Sequence, residues 1–234
     1  MLNDVTIVVP AKNEEVCIGD VLAGCRKQCD DILVVDGHSS DRTVEIAREH
    51  GARVITDNGV GKGDAIRCSA AHIEREVVVF IDADGSHDPA DIPKLVQPIF
   101  DGEADHVTGS RLIGGSSELH GGFDECFRLM GSSFITACVN WKFKVRLSDS
   151  QNGFRAMKTE LLRRLDLTST ITTIEQEMIF KTLAAGYRMG EVPTHEYKRK
   201  GGCSKINLLS VWHYYVASLI RLLFLPKRLN PPAL

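Results

Sequence analysis

Apolar residues in the first third of this chain come in short, unbroken runs. Val5 to Val9 is one, ending at Pro10, and Ile32 to Val35 is a second, ending at Asp36. Arg53-Val54-Ile55 is a short third, and Val77 to Ile81 is the fourth, ending at Asp82. Runs of this length without polar alternation predict strands buried on both faces. Between them the spacing becomes that of amphipathic helices, over Glu14 to Gln28, Asp41 to His50 and Lys62 to Glu74. In the second of these, Asp41 is the expected N-cap, Val44, Ile46 and Ala47 form the inward face, and Gly51 is the stop. Strands alternating with helices imply an α/β fold with a mostly parallel sheet covered on both faces. A helix from Pro89 to Phe100 and a strand around Asp105 to Thr108 extend the series.

After Arg111 the regularity fails. Ile113 to Asp124 reads as a Gly/Ser/His-rich loop, long enough to predict a functional role. Helical spacing returns from Glu125 to Trp141, Ser148 to Gly153 is a polar turn, and Ile174 to Ala185 is a further helix. A short strand, Met189 to Val192, leads into a basic stretch from Lys198 to Lys205. No repeat, low-complexity segment or linker interrupts the chain, so its 234 residues are expected to build one large α/β domain over 1–206. The remainder, 207–234, carries an apolar tail from Leu208 to Leu225 with Trp212, Tyr214 and Tyr215, broken by His213 and Arg221 and followed by Pro226-Lys227-Arg228. That is a poor membrane span. It predicts an amphipathic helix on a membrane surface, with a core helix packed on the domain as the alternative.

A formal charge of -3 argues against a nucleic-acid partner. The seven cysteines are odd in number, lack a C-x-x-C pair, and have no nearby Cys or His to complete a zinc set around Cys25 and Cys29. They are read as reduced thiols of a reducing compartment. Strand-like residues begin almost at Met1, so no signal peptide is expected.

The chemistry starts at Asp82-Ala83-Asp84. Two carboxylates one residue apart, at the mouth of a buried strand, repel each other unless a cation sits between them. Hard oxygen ligands of this kind suit Mg²⁺ or Mn²⁺, which keep part of their shell for phosphate oxygens. The carboxyl end of such a strand is also where open α/β sheets bind ligands. A metal-dependent enzyme acting on a phosphorylated, nucleotide-activated substrate is therefore expected. Three further signals follow earlier strands: Pro10-Ala11-Lys12-Asn13-Glu14, Asp36-Gly37-His38-Ser39-Ser40-Asp41, and Gly61-Lys62-Gly63. The last is neither a Walker A loop nor a G-x-G-x-x-G fingerprint, and a turn with a solvated lysine is its plain alternative. Parallel strand order would bring all four to one edge.

In order, Pro-x-x-Asn-Glu, Asp-x-x-Ser-x-Asp-x-Thr, Lys-Gly, Asp-Ala-Asp and Gly-Ser-Arg resemble a family 2 glycosyltransferase of GT-A fold. Asp82 to Pro89, Gly109-Ser110-Arg111, Arg128-x-x-x-Ser132, Asp149-x-x-x-Gly153-Phe154-Arg155 and Arg199-x-x-Gly202-x-Ser204-Lys205 resemble the dolichol-phosphate mannosyltransferase group, which includes other polyprenyl-phosphate glycosyltransferases. The match runs from about Val5 to Lys205. It departs from the pattern at Gly37, where a second Asp is usual, at Lys12, where an aromatic residue often stands, at Ser86 in place of a metal-contacting Gln, and at Cys203 in place of Glu.

The resemblance implies inverting transfer of a sugar, with mannose favoured, from a nucleotide-diphosphate sugar to a polyprenyl or dolichyl phosphate. GDP-mannose, UDP-glucose and UDP-N-acetylglucosamine all stay open as donors. It assigns the divalent cation to Asp82 and Asp84 with Ser86, and the nucleoside to Asp36 and Glu14 with Pro10 beside them. The acceptor phosphate goes to Arg128, Ser132, Arg199 and Lys205, and Asn13, Lys62, Ala83 and Arg111 complete the substrate contacts. Asp84, Arg128 and Arg199 are the expected catalytic set. Arginine forks and a lysine charge suit phosphate, while solvated surface charge is the plain alternative for them. The enzyme is expected on the cytoplasmic face of a membrane, with a membrane partner subunit as another seat for the tail. One rival is transfer to a hydroxyl acceptor, which needs a carboxylate base. Glu175 and Glu177 are the candidates, both otherwise expected on a helix surface. A nucleotidyltransferase would want an early Gly-rich loop ending in Arg and Lys, which is missing. A non-catalytic nucleotide-binding module would not need the acidic pair and the basic set together.

Overall fold

The four apolar runs pair in parallel. β1 (Val5–Ala11) lies between β2 (Ile32–Asp36) and β4 (Val77–Phe80), and β3 (Arg53–Thr56) flanks β2. The other half of the sheet holds β5 (His106–Ser110), β6 (Arg155–Lys158) and β7 (Met189–Pro193), giving seven strands in the order β3-β2-β1-β4-β6-β5-β7. β6 runs antiparallel to both its neighbours, and β7 runs parallel to β5. This computed structural model describes residues 1–117, 123–199 and 208–226, with side chains described outside 123–128 and 208–211.

The period-two geometry of a strand sorts each apolar run onto two faces. Val5, Ile7 and Val9 of β1, Ile32 and Val34 of β2, and Val77 and Val79 of β4 face one core. That core is closed by α1 (Ile18–Arg26) and by α4 (Ile92–Phe100), which follows a single 3₁₀ turn over Pro89–Asp91. Val8, Leu33, Val35, Val78 and Phe80 face the other, closed by α3 (Lys62–Ser69), α7 (Thr159–Arg164) and α8 (Ile174–Ala184). α5 (Arg111–Gly114) is a single turn directly after β5. A third apolar cluster joins α8 to α6 (Phe123–Phe143) and α9 (Leu208–Leu223), with Leu219 and Leu222 of the tail buried in it.

Several boundaries move. α1 starts at Ile18 rather than Glu14, because the loop before it is bound sideways: Glu14 N donates to Thr43 Oγ1 at 2.8 Å and Glu15 N to Asp41 Oδ2 at 3.2 Å. α2 (Thr43–Glu49) is therefore capped at Arg42, not Asp41, and Asp41 spends its carboxylate on Thr43 N at 3.0 Å and on that loop. α3 ends at Ser69, short of Glu74. β6 and α7 were not expected. Arg155 and Lys158 flank only Ala156 and Met157, so no apolar run marks the strand. The Arg155 side chain is buried, with its guanidinium donating to the carbonyls of Asn152 and, at 3.2 Å, Glu175. α9 packs one face, with Leu219 and Leu222, into the third cluster and leaves the other, with Val216 and Ile220, exposed.

Candidate active site

Strand direction places the carboxyl ends of β1 to β5 and β7, and the amino end of β6, on one edge of the sheet. A cavity of about 610 Å³ opens there. Pro10, Glu14, Lys62, Asp82, Ala83 and Asp84 line it, as do Ser86, Arg111, Ser132 and Arg199. Asn13 and Asp36 do not line the cavity wall. Asn13 has a left-handed backbone (φ 53°) and accepts from Ser40 N at 2.8 Å, tying the loops after β1 and β2 together, whereas Asp36 accepts from Ser39 N at 3.1 Å within the loop after β2. Arg128 belongs to α6, but its side chain, like Lys205, lies outside the described residues.

Lys62 is not a solvated turn residue. Its Nζ stands 2.6 Å from Asp82 Oδ1 and 2.9 Å from Glu175 Oε1. The flanking glycines make this possible. A Cβ on Gly63 would come within 2.5 Å of Ser169 O, so only glycine lets the first turn of α3 dock on 169–171, where Asp64 N donates to Thr170 O at 3.1 Å. Gly153 closes the pair from the other side, since a Cβ there would meet Lys62 Nζ at 2.7 Å and Asp82 Oδ2 at 2.9 Å. Burial pulls the Lys62 pKa down, but Asp82 and Glu175 outweigh it and hold the ammonium well above its ordinary range. Burial likewise pushes Asp82 up, and Lys62, with His87 and Arg199 beside it, outweighs that to hold the carboxyl below the usual range.

Asp84 has a cation of its own. Arg199 Nε lies 3.1 Å from its Oδ2, and Ser86 N donates to its Oδ1 at 3.0 Å. Each of the two aspartates thus stands beside a protein cation, Lys62 at Asp82 and Arg199 at Asp84. Arg111 is equally committed. It donates to Asp149 through Nε at 2.6 Å and Nη2 at 3.0 Å, and to Glu196 through Nη1 at 3.3 Å. Its charge clamps the end of β5 to the 148–150 turn and to the segment after β7.

Other groups on the wall went unpredicted. Asp57 follows β3 as the other acids follow their strands, and that same signal would have found it; it lines the cavity with Gly59 and Val60. His87 and Asn152 also face it, each with a buried nitrogen, Nδ1 and Nδ2, that has no hydrogen-bond partner. His87 stacks on Phe154 with ring centroids 5.0 Å apart, and burial lowers its pKa against the pull of Asp82 and Glu196. Glu175 and Glu177 are buried, not on a helix surface. Glu175 lines the cavity in its pair with Lys62, whereas Glu177 takes Ser169 N at 2.7 Å, Thr168 Oγ1 at 2.8 Å and Lys181 Nζ at 2.9 Å. Toward α5, α6 and α9 the cavity lining turns apolar, with Leu112, Leu129, Ile135, Trp212 and Tyr215.

Among the described residues no three His, Cys, Asp or Glu side chains form a closed metal centre. The donors present are the Asp84 and Asp82 carboxylates and the Ser86 hydroxyl, beside open cavity. Such a hard, incomplete set fits a Mg²⁺ or Mn²⁺ ion that takes its remaining oxygens from a bound diphosphate and water.

Residues 6–166 match the family model described as glycosyl transferase family 2. Glycosyltransferase AglJ of Haloferax volcanii is 32% identical over 200 residues, which are 85% of this chain and 64% of that protein. The dolichyl-phosphate hexose transferase of the same organism is 33% identical over 211 residues, covering 88% of this chain and 87% of the relative. Among solved structures, glucosyl-3-phosphoglycerate synthase from Mycobacterium tuberculosis in complex with Mn²⁺, UDP-glucose and phosphoglyceric acid superposes with a TM-score of 0.76, at 23% identity, over 95% of this chain and 80% of that one. At that identity the likeness speaks to the fold, which is the expected GT-A type.

Proposed function

This chain belongs to glycosyl transferase family 2, and on that premise we propose that it transfers a hexose from a nucleoside-diphosphate sugar to the phosphate of a polyprenyl lipid, with inversion at the anomeric carbon. The observation that carries the lipid acceptor is the change of character along one cavity. Acidic and basic side chains line it at the strand ends, and Leu112, Leu129, Ile135, Trp212 and Tyr215 line it on the side of α5, α6 and α9. A phosphate at the polar end and a hydrocarbon chain at the apolar end would match both. The relative that acts as a dolichyl-phosphate hexose transferase supports the same class of acceptor.

The donor would lie along the strand ends. Pro10, Glu14 and Asp57, which line the cavity, would take the nucleoside, and Asp82 with Lys62 the diphosphate and sugar. A divalent cation at Asp84, when bound, neutralises the charge that builds on the leaving nucleoside diphosphate. Ser132, Arg199 and, from α6, Arg128 would receive the acceptor phosphate. A phosphate oxygen is largely ionised at neutral pH, with a second pKa of about 6. It attacks the anomeric carbon with its own electron pair, the bond from that carbon to the donor phosphate breaks, and no proton moves. The site asks for positioning rather than a base. That agrees with Glu175 being held by Lys62 and Glu177 being spent on Thr168, Ser169 and Lys181.

No helix among the described residues is long and apolar enough to cross a membrane. Attachment to the cytoplasmic face of a membrane is proposed instead, through stripes that α6 and α9 leave open. Met130, Phe134 and Trp141 are exposed on one helix, and Val216 and Ile220 on the other, with Phe224 just beyond its end. Spacings of four and seven residues set such side chains on one face.

The test is a donor and acceptor screen. Radiolabelled GDP-mannose, UDP-glucose and UDP-N-acetylglucosamine are each offered with Mg²⁺ or Mn²⁺ to a short polyprenyl phosphate, to the matching free polyprenol and to 3-phosphoglycerate. Label in the lipid phosphate alone supports the proposal, and mannose is the sugar the motif resemblance favours. Transfer to the free polyprenol would replace it with a hydroxyl-acceptor enzyme, and transfer to phosphoglycerate with a soluble small-molecule acceptor.

A further inference from the structure

If the acceptor is a phosphate, as just proposed, Arg199 has two anionic partners and one charge. In this structure the charge is on Asp84, with Nε 3.1 Å from Oδ2. The backbone that carries Arg199 is tied down. Glu196 pairs antiparallel with His87 and parallel with Ser116, and Tyr197 N donates to Ser86 O at 2.8 Å. The segment is thus anchored to the Asp82–Ser86 loop, and its side chains are the part able to change partners. The Arg199 side chain is 31% exposed and lines the cavity, whereas that of Asp84 is 7% exposed. Asp82 already has Lys62 at 2.6 Å.

A divalent cation arriving at Asp84 would meet a guanidinium on the same carboxylate. Two positive charges a few ångströms apart repel, and the ion of higher charge keeps the carboxylate. We infer that Arg199 is an exchange residue: it neutralises Asp84 while no cation is present, and is released to the acceptor phosphate once a cation takes Asp84. Acceptor binding then follows loading of the donor site, and the lipid phosphate is not held by an enzyme with nothing to transfer. Linkage makes the effect reciprocal, so the acceptor should tighten the cation by the same factor.

The experiment titrates the full chain by calorimetry in two arms. In the first, Mn²⁺ is added at saturating UDP or GDP to the wild type, Arg199→Gln and Arg199→Lys. The glutamine variant should bind Mn²⁺ about tenfold more tightly than the wild type, a coupling typical of linked sites, and the lysine variant should fall between. Unchanged Mn²⁺ affinity in Arg199→Gln overturns the exchange. In the second, a ten-carbon isoprenyl phosphate is titrated with and without Mn²⁺ and nucleotide. The wild type should bind it about tenfold more tightly when both are present, and Asp84→Asn should bind it at that tighter level without them. Simple relief of carboxylate–phosphate repulsion would also tighten Asp84→Asn, so the double variant with Arg199→Gln decides. If the gain persists there, repulsion is the cause and the exchange is wrong; if it vanishes, Arg199 carried it. Failure of every form to bind the lipid phosphate would refute the acceptor reading instead, while the Mn²⁺ arm still reports on the Arg199–cation competition.

Discussion

Lys62 and Glu175, 2.9 Å apart, join the first turn of α3 to the first turn of α8, and the same ammonium reaches Asp82 at 2.6 Å on the far side. One half-buried cation thus balances two carboxylates on the cavity wall. Glu175, which from sequence competes for the role of catalytic base, instead holds the lysine that fixes the first aspartate of Asp82-Ala83-Asp84.

Lys62→Met should strand both carboxylates. Removing one partner of a buried pair costs about 3–5 kcal/mol, and the low end is expected because the Asp82 side chain is 27% exposed. The pH dependence has a definite sign. Asp82 is held below the ordinary carboxylate range, so its contribution is present above that range and fades as pH falls through its lowered value. Lys62 is held above its ordinary range, so its share is present below about pH 10.4 and fades only at more alkaline pH. Urea unfolding of wild type and variant should therefore differ fully at pH 7 and converge below about pH 4. A constant difference down to pH 3 would mean the loss is packing, not charge.

Arg111→Lys should fail to replace arginine. Asp149 accepts two bonds from the planar fork and Glu196 a third, a geometry that an ammonium cannot reproduce. Burial lowers the Arg111 pKa, but Asp149 and Glu196 hold it above its ordinary value, so the charge persists at any working pH. The lysine variant should lose about 2 kcal/mol of stability, in the range of charge-assisted hydrogen bonds. Donor affinity measured on folded protein should change far less. A large loss of donor affinity with unchanged stability would return Arg111 to the substrate.

Glu177→Gln and Glu175→Gln should behave differently from each other. Burial pushes Glu177 up, but Lys181, Ser169 and Thr168 outweigh it and bring its pKa down to about 2. A depressed carboxylate contributes stability above its unfolded pKa and loses it as pH falls. From about 4.5 to about 2 that is on the order of 3 kcal/mol in the wild type, and the glutamine variant should lack this acid limb. Both variants, once folded, should transfer sugar to a lipid phosphate. Their rates should fall below about pH 6 as the acceptor takes its second proton. Loss of most turnover in Glu175→Gln, with donor binding intact, would reinstate a base.

Phe134→Ser combined with Ile220→Ser should weaken binding to lipid vesicles. Both side chains are exposed, at 64% and 53%, so neither change opens a cavity. Full burial of such a side chain is worth about 1.5–3 kcal/mol, so losing two should lower vesicle partitioning at least tenfold. Co-sedimentation measures this, and turnover on a short, soluble polyprenyl phosphate should stay near wild type. Undiminished sedimentation would rule out these helix faces as the attachment surface.

The sheet's first half and its reactive edge are legible in the chain. β1, β2 and β4 are legible because buried parallel strands must be apolar on both faces, and the acids that end them are legible because parallel order leaves those ends together. Asp82-Ala83-Asp84 and Lys62 were found for that reason. β6 was decided only by the fold. It enters antiparallel between β4 and β5, and Arg155 is accepted there because the carbonyls of Asn152 and Glu175 receive its guanidinium, partners that no local pattern announces. The same holds for the partners of each charge. Asp84 with Arg199, Arg111 with Asp149 and Glu196, and Glu177 with Thr168 and Ser169 are pairings set by which strand ends and loops meet. A sequence shows which residues carry charge. Whether that charge meets substrate or another side chain depends on distances of a few ångströms between segments far apart in the chain, and those are fixed only when the layers pack.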